Sequence, residues 1–396
     1  MPRVAILTSG GIAPCLSASI GGLIEKYNEI SPDSEIVGYE HGYRGLLLGK
    51  SMKFSKKARQ NFSTLYNFGG TPIGNSRVKL TNVEDCVKKG YVSEGQDPLE
   101  VAAKQLEKDQ IDILHTIGGD DTNTMAAALA KHLEDTGKKL TVVGLPKTVD
   151  NDVIPVKQTL GAWTAAEQGA LFFQNIVNEN TTSRRQLIVH EIMGRHCGWL
   201  TAGTAYEYRK SLDNMTFLPE LNMSRERWDV HAVYIPEMDI DFQKESQRLR
   251  ECMDKNDCVN IFLSEGAGMD TIVREIESQG QKVPRDAFGH VRLDDINPGQ
   301  WFAKQFAESL DADKTLIQKS GYFARSAKPG DRDLELIKKS AFMAVEFALK
   351  GESGLVGLDD NKNGELGLIN LQLIKGSKAF DATQSWFRDM LSEIGQ

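Results

Sequence analysis

Five cysteines in 396 residues (Cys15, Cys86, Cys197, Cys252 and Cys258) form no CxxC pair and no regular framework. An odd count without metal-ligand spacing excludes a disulfide scaffold and reads as free thiols in a reducing compartment. Positive charge is also short, since 47 Lys and Arg against 55 Asp and Glu leave a formal net charge of −8. Such a surface argues against general binding to nucleic acid or to an anionic membrane, which both rest on basic patches. Small anionic substrates stay open, but they would need a local basic pocket. No apolar run approaches the ~18 residues of a membrane span, and the run at residues 4–7 is too short for a signal peptide. The expected location is therefore the cytoplasm, with neither membrane nor nucleic acid as partner. A GxGxxG fingerprint with a downstream acid is missing at the first turn, which disfavours a hydride-transferring dehydrogenase. No short-period repeat or low-complexity tract is found.

What is present has the pattern of a globular α/β protein. Hydrophobic residues make up 40% and charged residues 26%, enough to bury a core. The length exceeds one ordinary core, so two domains are expected. Short apolar runs at residues 4–7, 36–37, 111–117, 140–145, 187–189, 232–235 and 259–263 each end in glycine or polar residues. They suit strands buried in a parallel sheet. Helical spacing lies between them, as in Ile20, Leu23, Ile24 and Tyr27, and later in Leu334, Ile337, Ala341, Val345 and Ala348, stopping before Gly351. The Gly- and Asp-rich stretch 351–367 reads as surface loops. Alternating strands and helices imply an open sheet covered on both faces, with ligands beyond the carboxyl ends of the strands.

Polar and glycine-rich signals cluster at those ends. Thr8-Ser9-Gly10-Gly11 follows the first run. Such a loop before a helix lets backbone N–H groups approach an anion, although taken alone it reads as an ordinary tight turn. In Gly118-Gly119-Asp120-Asp121-Thr122 two adjacent carboxylates repel each other unless a cation or donor answers them, and Asp120 suits Mg²⁺. Helix capping by Asp121 or Thr122 explains the same residues equally well. Lys147, Thr148, Asp150, Asn151 and Asp152 follow residues 140–145. They assemble what phosphoryl transfer needs: a cation for the moving phosphate, a base for the attacking hydroxyl, and orienting groups. In Met193-Gly194-Arg195-His196-Cys197-Gly198 the flanking glycines leave Arg195 room to reach a phosphate with both nitrogens. His196 and Cys197, as sequence neighbours, face apart, so His196 reads as a packed or capping residue and not as half of a nucleophilic pair. Glu265, between Ser264 and Gly266, offers a carboxylate for sugar hydroxyls, and Arg325 in Gly321-Tyr322-Phe323-Ala324-Arg325-Ser326 a cation for a sugar phosphate. Each alone is a turn or a surface charge.

Together the segments TSGG (8–11), GGTPIGNSR (69–77), GGDD (118–121), PKTVDND (146–152), MGRHCGWLTA (193–202), SEG (264–266) and GYFARS (321–326) resemble the phosphofructokinase family in order and spacing. The likeness spans residues 4–326, and other GGD-containing kinases lack the TVDND and MGR segments. It implies two Rossmann-like three-layer α/β domains with largely parallel sheets and the active site in the interdomain cleft. The donor domain would be 1–161 plus about 327–375, and the sugar-phosphate domain 162–326 plus about 376–396. By the same resemblance Asp150 is the base for the sugar 1-hydroxyl, with Thr148 and Asp152 as positioning neighbours. Asp120 is the Mg²⁺-linked carboxylate, and Arg195 stabilises the transferring phosphoryl group. Met193, Gly194, Glu265, Tyr322 and Arg325 resemble sugar-phosphate contacts, while Gly11, Arg77, Gly119, Asp121, Thr122 and Lys147 fall on the donor side.

Two positions bear on the donor. ATP-using members carry glycine where Asp121 and Lys147 stand. Asp121 would put charge and bulk in the path of the ATP α-phosphate, while Lys147 adds a cation for the compact inorganic pyrophosphate. The implied reaction is reversible phosphorylation of fructose 6-phosphate by pyrophosphate in glycolysis and gluconeogenesis, in a homo-oligomer for which a dimer is favoured over a tetramer. An ATP-dependent phosphofructokinase and a non-catalytic sugar-phosphate sensor are the alternatives. The chain also departs from the family. Ile12 replaces a common aspartate and Cys15 a common glycine. Arg184-Arg185-Gln186 shifts by one position a basic residue that reaches a neighbouring subunit, and near 314–319 a family arginine has no clear equivalent beyond Lys314 or Lys319.

Overall fold

The computed structural model describes residues 1–280, 282–284 and 296–396. These fall into two units, Met1–Thr164 with Arg325–Lys378 and Ala165–Ala324 with Ala379–Gln396. Strands β1 (Arg3–Thr8), β2 (Glu35–Tyr39), β3 (Ser51–Lys53), β4 (Ile113–Gly118) and β5 (Thr141–Pro146) come first along the chain. Then follow β6 (Gln186–Ile192), β7 (Ala232–Tyr234), β8 (Cys258–Ser264), β9 (Lys314–Lys319), β10 (Gly354–Asp359) and β11 (Glu365–Ile369).

The first unit is a seven-stranded sheet in the order β11-β10-β5-β4-β1-β2-β3. Its centre is parallel, β1 pairing with β2 and β4, and β4 with β5. Every residue of β4 and β5 is buried, which is why those runs are apolar without alternation. The edges β3 and β11 run antiparallel to their neighbours.

The stretch 351–367 departs from the sequence reading, because it holds a hairpin where loops are expected. β10 joins β5 in parallel (Leu355↔Gly144) and is almost wholly buried. The hairpin turns through Asn363 and Gly364, both at positive φ. Turn residues and strand glycines together made the segment look unstructured, but Gly354 and Gly357 lie against Leu368 and Pro146, where the sheet leaves little space. β9, with lysine at both ends, also escapes the apolar-run criterion, since it is a half-exposed edge strand.

The second unit is a four-stranded parallel sheet in the order β7-β8-β6-β9. Its core includes Leu187, Val189, Ile261, Leu263, Phe302 and Phe306. His190 is buried in an aromatic cluster, its ring stacked on Phe173 at 5.2 Å and Nε2 hydrogen-bonded with Ser320 at 2.7 Å. Burial pushes its pKa down to about 3, so it is a neutral core histidine. No described helix is long and apolar enough to cross a membrane.

In the first unit the helix Asp331–Leu349 packs on the helix Leu16–Ile30, and the Lys26 ammonium ties Glu346 to Glu29, both at 3.1 Å. Asp333 in its first turn is wholly buried. Its carboxylate accepts from Gly161 N (3.0 Å), Thr164 N (2.6 Å) and Thr164 Oγ1 (2.6 Å), capping the helix Ala162–Ile176 from a distant part of the chain. Desolvation raises its pKa against those hydrogen bonds. Asp333→Ala would leave the donors buried and unanswered. The expected loss is about 2–4 kcal/mol, checked by chemical denaturation.

Candidate active site

Lys147, the first residue beyond β5, gathers the candidate residues of the first unit. The Nζ group donates to the Gly11 carbonyl at 2.5 Å and lies against Gly10. The glycine loop is stitched to the segment 74–76: Gly10 N donates to Ser76 O (2.9 Å), Ser9 Oγ to the same carbonyl (3.0 Å), and Asn75 Nδ2 to Gly10 O (2.6 Å). These bonds carry the next residue, Arg77, to the face of Gly11. Gly11, Arg77 and Lys147 are thus brought together from three separate segments. The Lys147 pKa is brought down to about 8, chiefly by desolvation and in part by Arg77, against the opposing pull of Cys15, Asp150 and Asp152.

The helix Asp120–Asp135 starts at N-cap Gly119 without a side-chain cap, so neither Asp121 nor Thr122 serves that role. Thr122 is buried with its side chain over Gly118, and its carbonyl accepts from Tyr43 Oη at 2.6 Å. Asp121 pairs with Lys79 at 2.5 Å. Sequence reasoning passed over Lys79, because a lysine in a loop 42 residues upstream looks like any surface charge.

In the next loop Thr148 Oγ1 accepts from Asp150 N at 3.2 Å and hydrogen-bonds to the Asp152 carboxyl. The loop is fixed by Asn151, whose φ is +56°. Its Oδ1 accepts from Thr159 N at 2.8 Å and from Thr159 Oγ1 at 3.2 Å. Asparagine tolerates this backbone region better than most residues. It was visible within the motif, but its clamping partner lies eight residues on. Desolvation raises the Asp152 pKa, and the nearby Asp120 carboxylate adds to that.

In the second unit, register does the gathering. Ile192, the end of β6, pairs with Ser264, the end of β8. Beyond them Glu265 N donates to Ile192 O (2.9 Å), Ser264 Oγ to Gly194 O (2.5 Å), and Gly194 N to Glu265 Oε1 (3.4 Å). Two glycines are obligatory in this turn. Gly194 has φ +133°, and a Cβ on Gly266 would stand 1.9 Å from the Arg195 carbonyl oxygen. Gly321 packs on Met193, next to Tyr322, which is 80% exposed. Met193, Gly194, Arg195, Glu265 and the start of the GYFARS helix are therefore neighbours, whereas Arg325 falls to the first unit.

His196 is exposed, not packed, while Cys197 is buried. They do face apart, but the turn points the histidine outwards. Glu237, unmarked in the sequence, accepts from Gly198 N (2.9 Å) and Phe380 N (2.7 Å), holding the start of the helix Trp199–Leu212. Arg185 is engaged by Asp254 (2.7 Å) and by the carbonyls of Leu310 (2.6 Å) and Asp311 (2.7 Å), whereas the Arg184 side chain stays 82% exposed. Lys314 pairs with Glu179 at 3.6 Å and Lys319 with Glu191 at 2.8 Å.

A family model described as phosphofructokinase matches residues 3–348. The chain is similar to the pyrophosphate–fructose 6-phosphate 1-phosphotransferase of Methylotuvimicrobium alcaliphilum, 60% identical over all of this chain and 96% of the relative. Relatives of the same name from Mastigamoeba balamuthi and Propionibacterium freudenreichii are 56% and 55% identical, over 99% and 100% of this chain and 96% and 98% of theirs. Among solved structures, a pyrophosphate-dependent phosphofructokinase from Marinobacter aquaeolei aligns with TM-score 0.72 at 20% identity, covering 99% of this chain and 91% of that one. At that identity the likeness is one of fold.

The Lys147 pKa sets a pH dependence. Because the folded value is about 8 against an ordinary 10.5, the fold binds fewer protons between those limits and gains stability as pH rises through them. Anion binding runs the other way, since it needs the ammonium. Affinity of this cradle for a small anion, with inorganic phosphate as the probe, should fall up to about tenfold per pH unit above 8, and that slope should flatten in Lys147→Met. Calorimetric titration of both proteins from pH 7 to 9.5 checks this.

Proposed function

The chain belongs to the phosphofructokinase family, and from that premise we propose that it transfers a phosphoryl group reversibly between inorganic pyrophosphate and the 1-hydroxyl of fructose 6-phosphate, giving fructose 1,6-bisphosphate and phosphate. The observation that carries this reading is the buried Lys147 ammonium on Gly11, with Arg77 beside it. Two cations in a glycine cradle match a small, highly charged anion. Asp121, carried on the helix that begins the GGDD turn and paired with Lys79, discriminates against a longer nucleotide by repulsion. We assign the first unit to the donor and the second mainly to the sugar phosphate.

In the forward direction Asp150 takes the proton of the 1-hydroxyl as its oxygen attacks a pyrophosphate phosphorus in line. The new P–O bond forms as the bridging P–O bond breaks, and phosphate leaves with the bridging oxygen. Lys147 and Arg195 neutralise charge on the moving group. Thr148 and Asp152 orient the base. Met193, Gly194, Glu265, Tyr322 and Arg325 hold the sugar phosphate. Both anhydride and ester lie close in transfer potential, which makes the reaction reversible.

A divalent cation fits this site. Asp120 and Asp152 are hard oxygen donors near enough for one carboxylate to raise the pKa of the other, and a cation would relieve that repulsion. Among the described residues no group of three or more His, Cys, Asp or Glu forms a metal cage, so the donor set suits Mg²⁺ that keeps phosphate and water ligands and takes one or two carboxylates. When bound, Mg²⁺ supplies positive charge to the phosphoryl oxygens. The enzyme acts in the cytoplasm, where its five free thiols stay reduced. In a homodimer Arg184, and not the engaged Arg185, is the residue to meet a neighbouring copy.

The test is turnover of fructose 6-phosphate with Mg²⁺ and either pyrophosphate or ATP, plus the reverse reaction with phosphate. Activity with pyrophosphate alone is expected. Use of ATP would overturn the donor assignment, and silence with both would favour a sugar-phosphate sensor. Asp150→Ala should lose about 10²–10⁴-fold in kcat with substrate binding largely kept. Joint replacement Asp121→Gly and Lys147→Gly should improve ATP use relative to pyrophosphate.

A further inference from the structure

Behind Ile374 the chain turns back over the helix start that carries Asp120. Lys375 exchanges two backbone hydrogen bonds with Ile154 (2.8 and 3.1 Å), and Lys378 N donates to the Asp152 carbonyl at 2.8 Å. The Lys378 ammonium also reaches the Val156 carbonyl at 3.0 Å and the Asp360 carboxylate. Residues 375–378 are thereby pinned to the loop of Asp150 and Asp152. Gly376 lies inside this pinned segment and faces Asp120. A Cβ on Gly376 would stand 1.9 Å from Asp120 Oδ2 and 2.6 Å from its Cγ. Ordinary contact begins at 3.4 Å, so the carboxylate occupies space that any other side chain would take. Gly376 is not among the positive-φ glycines, so the requirement is for room and not for backbone freedom.

Resting on the function proposed above, we propose that Gly376 is a positioning residue for the reaction, setting where the Asp120 carboxylate stands. With its neighbours tied on both sides, the backbone at 376 cannot yield without breaking hydrogen bonds. The short Asp120 side chain yields first. Alanine at 376 drives its oxygen about 1.5 Å from its place, away from the position it shares with Asp152. A misplacement of about 1 Å is enough for a loss near 10²-fold. The return segment thus makes the end of the first unit part of its chemistry, although it supplies no reacting group.

The test is a double-mutant cycle of Gly376→Ala and Asp120→Ala, with Gly367→Ala as control because a Cβ there meets nothing within 4 Å. In the parent background Gly376→Ala should lower kcat about 10²-fold, raise the Mg²⁺ concentration for half-maximal rate, and move the thermal midpoint measurably. In the Asp120→Ala background the same step should change neither turnover nor midpoint, because the obstructing carboxylate is gone. An equal change of midpoint in both backgrounds overturns the proposal, as does parent-like turnover with an unshifted Mg²⁺ response in Gly376→Ala. Should Gly376→Ala alone fail to fold, recovery of folding by Asp120→Ala supports the proposal and its absence sinks it. A parent inactive with every donor would end the proposed function, while the thermal cycle would still decide the role of Gly376.

Discussion

An ammonium group buried as deeply as that of Lys147 persists only where the surrounding structure answers its charge. The Gly11 carbonyl does so directly, and Asp150 and Asp152 do so through space. This one requirement links the glycine loop after β1, the end of β5 and the loop that carries the proposed base. Arg77 joins from a fourth segment because Ser9, Gly10 and Asn75 bind the two loops together. Burial brings the Lys147 pKa down to about 8, so the lysine stays mostly protonated at neutrality and loses its charge just above it. In the proposed function such a cation is answered further when a phosphate arrives, because the anion supplies the counter-charge that water cannot.

The second unit is organised by register instead of by a buried charge. Parallel pairing of β6 with β8 and β9 brings the ends of those strands to one level. The MGR turn, the Ser264–Glu265–Gly266 turn and the Gly321 helix then begin side by side, as the carboxyl ends of a parallel sheet require. Glycines at 194 and 266 let the first two turns nest. His190 and Glu191 anchor the third from below, through Ser320 and Lys319.

The returning segment of the first unit acts at a distance from the motifs. Asp333 caps the helix that begins at Ala162, β10 extends the sheet beside β5, and residues 375–378 close over Asp120 and the Asp152 loop. All three contacts join parts of the chain more than 150 residues apart. Loop-closure entropy grows only slowly with such separation, so a long return of this kind is thermodynamically tolerable.

Period and punctuation sufficed for the central buried strands and for the loops that follow them, because a strand buried on both faces must be apolar and a loop that admits an anion must be glycine-rich. The residues quoted in the motifs are also those the structure gathers in each unit: Gly11, Arg77 and Lys147 in one, Met193, Gly194, Arg195 and Glu265 in the other. The hairpin of β10 and β11 stayed hidden because glycine removes the side chains that show periodicity. Lys79, Glu237, Asp333 and Gly376 stayed hidden for another reason. Each is an ordinary residue whose meaning lies in its partner, and the partner is chosen by folding. Sequence alone determined the family, the alternation of buried strands with helices and the kinds of groups available for chemistry. Tertiary structure alone decided which charges are buried, which are paired and where a carboxylate has room to stand, because those depend on distances that only a folded chain defines.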